Sequence, residues 1–181
     1  MYKYFIIAII TFTALNLRGQ TIINYTTSDG LVSDFIECIA VDANDNIWFG
    51  AADGIQMYDG SNWTLYNSSD FNGLTTNNIK VVTATSDGKV YIGTDFGASL
   101  FANNNWVTFN TNSQVKSIDE DPISGFVWIG TNQGVLYFDD VSASWLSYSS
   151  PDLHWSGVNS TAFDSNGDKW FSSPLGGVTH F

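Results

Sequence analysis

The chain has 181 residues, 13% of them charged and 15% aromatic, with 16 Gly against 3 Pro. Low charge with many aromatics excludes an intrinsically disordered chain and argues against a helical bundle, whose exposed faces are filled by Glu, Lys and Arg. The formal net charge of −12 argues against a nucleic-acid partner, and a single cysteine leaves no internal disulfide to form.

Residues 1–19 read as an export signal. Lys3 and the amino terminus form a small positive region, and Phe5 to Leu17 is an apolar run broken only by Thr11, Thr13 and Asn16. That run is short and interrupted for a membrane span, which takes roughly 20 apolar residues. Leu17 and Gly19 offer a small-residue cleavage site, which places the mature protein outside the cytoplasm, periplasmic or secreted, with no stable membrane insertion after cleavage. The lone thiol, Cys38, suits an exported protein built without disulfides.

From residue 20 onward the chain repeats. Ile47-Trp48-Phe49-Gly50 followed by Gly54 and Tyr58 returns as Val90-Tyr91-Ile92-Gly93 with Gly97 and Phe101, and as Val127-Trp128-Ile129-Gly130 with Gly134 and Phe138. A fourth copy is Lys169-Trp170-Phe171-Ser172 with Gly177 and Phe181. A second marker keeps the same phase: Trp63-Thr64-Leu65-Tyr66, Trp106-Val107-Thr108-Phe109 and Trp145-Leu146-Ser147-Tyr148. Each unit reads as four short strands. The first strands are Ile36–Val41, Ile79–Thr83, Val115–Asp119 and Val158–Phe163; a turn with Asn, Asp or Gly follows, such as Ser86-Asp87-Gly88, where a positive φ is wanted. The Trp/Tyr strand, a Gly-ended loop, a third strand ending at Tyr58, Phe101, Phe138 or Phe181, and the Trp-x-x-aromatic strand complete the unit.

The middle strands are apolar on both faces, as sheets packed between sheets require. A radial array of four-stranded units at a period of about 40 residues is a β-propeller. The expected fold is therefore all-β, with four antiparallel blades at about 30–71, 73–113, 114–152, and 153–181 plus 21–27, all in one domain from residue 20 to 181. Thr21-Ile22-Ile23-Asn24-Tyr25 stands 41 residues before Tyr66, in the place of a fourth strand. It is expected to pair with the last strand and close a four-bladed ring; the alternative is the first part of a larger propeller. The repeated aromatics Trp48, Tyr91, Trp128 and Trp170 read as inter-blade core.

Gly30-Leu31, Ile39, Asp42, Ile47-Trp48-Phe49-Gly50, Gly54 and Tyr58 resemble the two-component regulator propeller repeat, as do Gly73-Leu74 with Tyr91-Ile92-Gly93-Thr94, and Trp128-Ile129-Gly130-Thr131 with Gly134. The resemblance covers the four units. It implies an extracytoplasmic sensor-type propeller, in a family where carbohydrate breakdown products are a frequent cue and where some members are secreted without a kinase. This chain shows no kinase or response-regulator region.

Signatures of catalysis are sparse: no His-Glu-x-x-His, no Gly-x-Ser-x-Gly, no phosphate loop and no Cys pair, with His154 and His180 the two histidines. Asp42–Asn46 and Asp164–Asp168 alternate oxygen ligands as calcium loops do, but lack the rest of that motif and read as Asx turns. Asp119-Glu120-Asp121 before Pro122 reads as a solvated acidic turn, and Cys38 as a small core residue. No enzyme activity, cofactor or metal is implied.

Loops carry recognition while strands give rigid support. The loops after the Trp/Tyr strand supply Asp53, Asp95, Phe96, Asn132 and Gln133; those leading into the first strand supply Phe35, Asn77, Asn78, His154 and Trp155. Both sets are expected on one face. Amides and carboxylates beside exposed aromatics suit the hydroxyls and apolar faces of sugars, or a protein surface. The function expected is a non-catalytic ligand-binding or sensor module for a glycan or other small molecule. A protein-interaction platform is the alternative; a propeller enzyme of the lyase kind, with His154 as base and a divalent metal, comes third.

Overall fold

The structure, a computed structural model, describes residues 22–69, 73–139, 144–149, 153 and 157–181. The export-signal segment, Thr21, His154 and Trp155 lie outside the described residues.

Among the described residues there are fifteen strands and one 3-10 turn, Thr27–Asp29. The first sheet is β1 (Cys38–Val41), β2 (Ile47–Ala51), β3 (Gly54–Tyr58) and β4 (Trp63–Tyr66). The second is β5 (Ile79–Ala84), β6 (Val90–Thr94), β7 (Ala98–Ala102) and β8 (Asn105–Phe109). The third is β9 (Val115–Glu120), β10 (Val127–Thr131), β11 (Gly134–Asp139) and β12 (Ser144–Tyr148); the fourth has three strands, β13 (Ser160–Phe163), β14 (Lys169–Ser173) and β15 (Gly177–His180). All are antiparallel meanders in sequence order. No helix among the described residues is long and apolar enough to cross a membrane.

The first strands form the hub: β1 packs on β5, β5 on β9 and β9 on β13. Between sheets lie three cores. Trp48 and Ile55 of the first sheet meet Ile79, Val82 and Ile92 of the second. Tyr91 and Ala98 meet Val115, Ile118 and Ile129, and Trp128 and Val135 meet Val158 and Phe171. Residues of β6 and β10 are buried on both faces, as the sequence pattern demands of a sheet between sheets. Gly50, Gly93 and Gly130 make this spacing attainable. A Cβ there would stand 2.6, 2.4 and 2.9 Å from Ile79, Val115 and Val158 of the following sheet. A side chain would hold the sheets apart.

The hairpins after β1, β9 and β13 are Asx-type turns, opened by Asp42, Asp121 and Asp164. Asp42 Oδ1 accepts from the backbone N–H of Asn44 at 2.8 Å and of Asn46 at 3.1 Å, and Oδ2 accepts from Trp48 Nε1 at 2.9 Å. Burial pushes the Asp42 carboxyl up, but these donors outweigh it and hold its pKa below the usual carboxylate range. Asp164 does the same work with Asn166 and Asp168.

Three expectations are corrected. Among the described residues the N-terminal segment does not close a ring. Residues 22–26 carry no strand, the edge of β15 has no partner strand among the described residues, and β1 and β13 are not packed neighbours. The segment instead follows the first sheet. The Tyr25 ring lies 5.8 Å from Tyr58 and 5.7 Å from Trp63. Gln56 ties down the following stretch, its Nε2 donating to Gly30 O and its Oε1 accepting from Val32 N–H. Second, Trp170 is not core: it is 40% exposed, where Trp48, Tyr91 and Trp128 are buried, because no sheet covers it among the described residues. Third, Asp121 is not solvated. It is 1% exposed, accepting from Ile123 N–H and Ser124 Oγ and lying 3.3 Å from Lys169 Nζ of the fourth sheet. Cys38 lies half-buried, and burial pushes its thiol up to about 11, which makes it an inert packing group.

Candidate functional site

Antiparallel order puts the turns β2–β3, β6–β7, β10–β11 and β14–β15 at the same end of the sheets as the segments entering β1, β5, β9 and β13. The glycine closing the first three of these turns is forced by geometry. At Gly97, φ is +155°, and a Cβ would lie 2.4 Å from the carbonyl oxygen of Phe109 in the outer strand. Thr94 and Thr131 brace two of the turns: each Oγ1 donates to the carbonyl of the glycine three residues on, at 3.0 Å.

On that rigid end the polar loop residues converge on the seam between the second and third sheets. Asp95 is the junction. Its Oδ2 accepts from Asn78 Nδ2 at 2.5 Å and its Oδ1 from Gln114 Nε2 at 2.6 Å. One carboxylate thus joins the entry segments of two sheets. Beside it Ser113 Oγ donates to Asn132 Oδ1, and Asn132 N–H donates to Gln114 O at 3.1 Å. From there a cleft of about 420 Å³ runs toward the fourth sheet, lined by Gln114, Lys116, Asn132, Asn159, Ser173 and Leu175 among others. Ser173 Oγ is buried and has no hydrogen-bond partner among the described residues. Leu175 is 80% exposed, giving the rim an apolar edge.

Of the residues singled out in the sequence, Asn78, Asp95 and Asn132 belong to this assembly. Asn77 holds a neighbouring turn instead, its Oδ1 accepting from Ser68 N–H at 2.6 Å. Phe96 and Gln133 stand exposed at the tips of their turns, Asp53 on the first sheet's turn, and Phe35 at the entry to β1, 86% exposed. These four are not in the cleft lining. Lys116, Asn159 and Ser173 were not legible as loop residues because they sit at strand edges. A signal did exist: Glu37, Lys80, Lys116 and Asn159 occupy one repeat position, a recurrent polar residue at the start of the first strand.

Donors (Lys116, Asn159, Gln114), an orphan hydroxyl and an apolar rim can hold a small molecule rich in oxygen. No group of three or more His, Cys, Asp or Glu able to hold a metal occurs among the described residues. His180 stacks on Trp170 with centroids 4.2 Å apart and lies 3.3 Å from Asp168, at the outer sheet.

The two component regulator propeller family model matches residues 30–53. The extracellular domain assigned to a hybrid two component system of B. thetaiotaomicron superposes with a TM-score of 0.76 at 24% identity, over 88% of this chain and 23% of that one. These are propeller blades. A second such domain from B. thetaiotaomicron gives 0.65 at 21% identity, over 83% and 23%. A virginiamycin B lyase from Staphylococcus aureus gives 0.60 at 17% identity, over 81% and 55%. The chain thus spans about a quarter of the first two domains, and among the similar folds both sensor domains and an enzyme occur. No curated protein matches the sequence.

Proposed function

We propose that this chain is a blade array of an extracytoplasmic sensor-type propeller and binds a small hydroxyl-rich ligand, of the carbohydrate class, without catalysis. The observation that carries the reading is the cleft between the third and fourth sheets, with Lys116, Asn159 and the unpartnered Ser173 hydroxyl converging beside Leu175. Amide and hydroxyl groups match sugar hydroxyls, an ammonium suits a uronate or other acidic sugar, and an exposed apolar side chain supports a pyranose face. The family match and the similarity to extracellular sensor domains support the class of role and the location outside the cytoplasm.

The test is a titration of the purified chain with a panel of neutral and acidic mono- and oligosaccharides by calorimetry. Asn159→Ala and Leu175→Ala are expected to weaken a bound saccharide by about 10-fold each, the scale of one lost hydrogen bond or apolar contact, with the melting temperature unchanged. Failure of every saccharide to bind, or binding indifferent to both substitutions, overturns the reading. A protein partner remains the second reading, favoured by the net charge of −12, and it requires a basic surface whose affinity falls as salt rises.

A further inference from the structure

We propose that the chain carries a second binding site, at the end of the sheets opposite the cleft, for a small neutral ligand bearing a secondary amide with a short acyl group. The site lies wholly between the first and second sheets and does not depend on the reading of the cleft.

The turns β1–β2 and β7–β8 share that opposite end. Between them a hollow of about 280 Å³ opens at the seam of the two sheets. Asn44 and Asn46 of the first turn line one wall, and Asn103 and Asn104 of the second line the other. Met57, Tyr66, Val90 and Phe101 supply its apolar surface. Tyr66 and Phe101 both pack on the fully buried Trp48, with centroids 5.8 and 5.1 Å away.

Both walls are held in place by the protein itself. Asp42 accepts from the backbone N–H of Asn44 and Asn46, from Asn46 Nδ2 at 3.0 Å and from Trp48 Nε1. Four donors fill its lone-pair directions, so this carboxylate has nothing left for a cation. A carboxylate only accepts, which also fixes the Asn46 amide: its Nδ2 is spent on Asp42 and its Oδ1 is left as an acceptor. Opposite, Asn103 and Asn104 hold φ of +50° and +60°, the two-residue hairpin turn that Asn tolerates. Asn105 Nδ2 braces it by donating to Asn103 O at 3.0 Å. The side-chain amides of Asn44, Asn103 and Asn104 have no hydrogen-bond partner among the described residues.

Among the described residues no cationic side chain lines the hollow, and its one carboxylate is saturated, so a neutral ligand fits it. A primary amide presents a donor and an acceptor in one plane, and the single group that answers both is another amide. The apolar surface of Met57, Val90 and Phe101 suits the acyl methyl. The next seam puts the same repeat positions to another use. Asn44 and Asn46 correspond there to Asp87 and Lys89, which pair with each other at 2.6 Å beside a gap of only about 20 Å³. The larger hollow at that seam is lined chiefly by apolar side chains, Leu100, Val107, Phe109 and Trp145 among them. The amide walls are thus a property of the first seam and not of the repeat.

Calorimetric titration of the purified chain with N-acetylglucosamine, glucose and N-acetylalanine methylamide tests it. At least one acetylated probe is expected to bind with a Kd of about 1 mM, and glucose at least 10-fold more weakly. Binding of the sugar alone places the amide on a saccharide, binding of the blocked amino acid alone places it on a peptide, and binding of both makes the acylamide itself the group that is read. Asn104→Gly keeps the positive-φ turn and removes one amide; it weakens the bound probe about 5–10-fold, the scale of a lost hydrogen bond, without lowering the melting temperature. Asn44→Asp combined with Asn46→Lys installs the ion pair of the next seam and abolishes binding. Silence of both acetylated probes at ~50 mM, glucose binding as tightly as N-acetylglucosamine, or an Asn104→Gly chain that binds like the parent overturns the proposal. Binding lost in Asn159→Ala and kept in Asn104→Gly also overturns it, by assigning the probe to the cleft.

Discussion

Trp128→Ala is expected to destabilise the protein by about 3–5 kcal/mol in a urea titration. The indole is 3% exposed and sits at the seam of the third and fourth sheets, its ring 4.5 Å from Tyr137, 5.7 Å from Phe171 and under the Lys169 ammonium at 5.7 Å. A buried indole removes about 150–250 Å² from water, which at ~25 cal/mol/Å² is roughly 4–6 kcal/mol before conformational entropy is charged. Its Nε1 has no hydrogen-bond partner among the described residues. Trp128→Phe therefore loses volume but no hydrogen bond, whereas Trp48→Phe also deletes the bond to Asp42 and costs about 1 kcal/mol more. A loss below ~1 kcal/mol for Trp128→Ala would mean that the third and fourth sheets do not pack in solution as described.

Gly93→Ala is expected to cost about 1–3 kcal/mol although it adds a single methyl group. The new Cβ would lie 2.4 Å from Val115 Cγ1 and 2.5 Å from Val81 Cγ1, between hub strands that have packed neighbours on both sides. Strain of this kind is relieved by making room. In a double-mutant cycle, Val115→Ala in the Gly93→Ala background should therefore cost less than Val115→Ala alone, with a coupling of about 1 kcal/mol or more. Strict additivity would place the strain elsewhere.

The contrast between Trp170 and its counterparts shows what the sequence carries and what it does not. Two aromatic markers in one phase were enough to read the blades, their strand order and the side of each strand that faces a neighbour, because these depend on local alternation. Whether a neighbour stands there is a non-local fact. Trp170 has the same place in its repeat as Trp48, yet among the described residues no sheet packs beyond it and it is 40% exposed. The same holds for residues 22–25, whose register was legible while their pairing was not: Tyr25 sits where an outer-strand aromatic belongs, on the first sheet and away from β15. Polar loop residues such as Asp95 and Asn132 were found because turns are punctuated by Gly and Asx. Lys116 and Asn159 escaped because a polar residue at the mouth of an apolar strand looks like ordinary alternation. Asp121 was misjudged for a related reason: three acids before a proline suggest solvent, yet its neighbours' N–H groups and Lys169 turn the carboxylate inward.

Among the described residues the hub strands form a row, β1 on β5, β5 on β9 and β9 on β13. Cooperativity in such a stack is short-ranged, like a row of coupled spins, and the end members have one coupling in place of two. In the purified chain, amide protons of β1 and β15 should exchange first and those of β6 and β10 last, with protection graded along the array rather than uniform. A ligand gripping the third and fourth sheets would then slow exchange at the weaker end and act as a clamp on fraying.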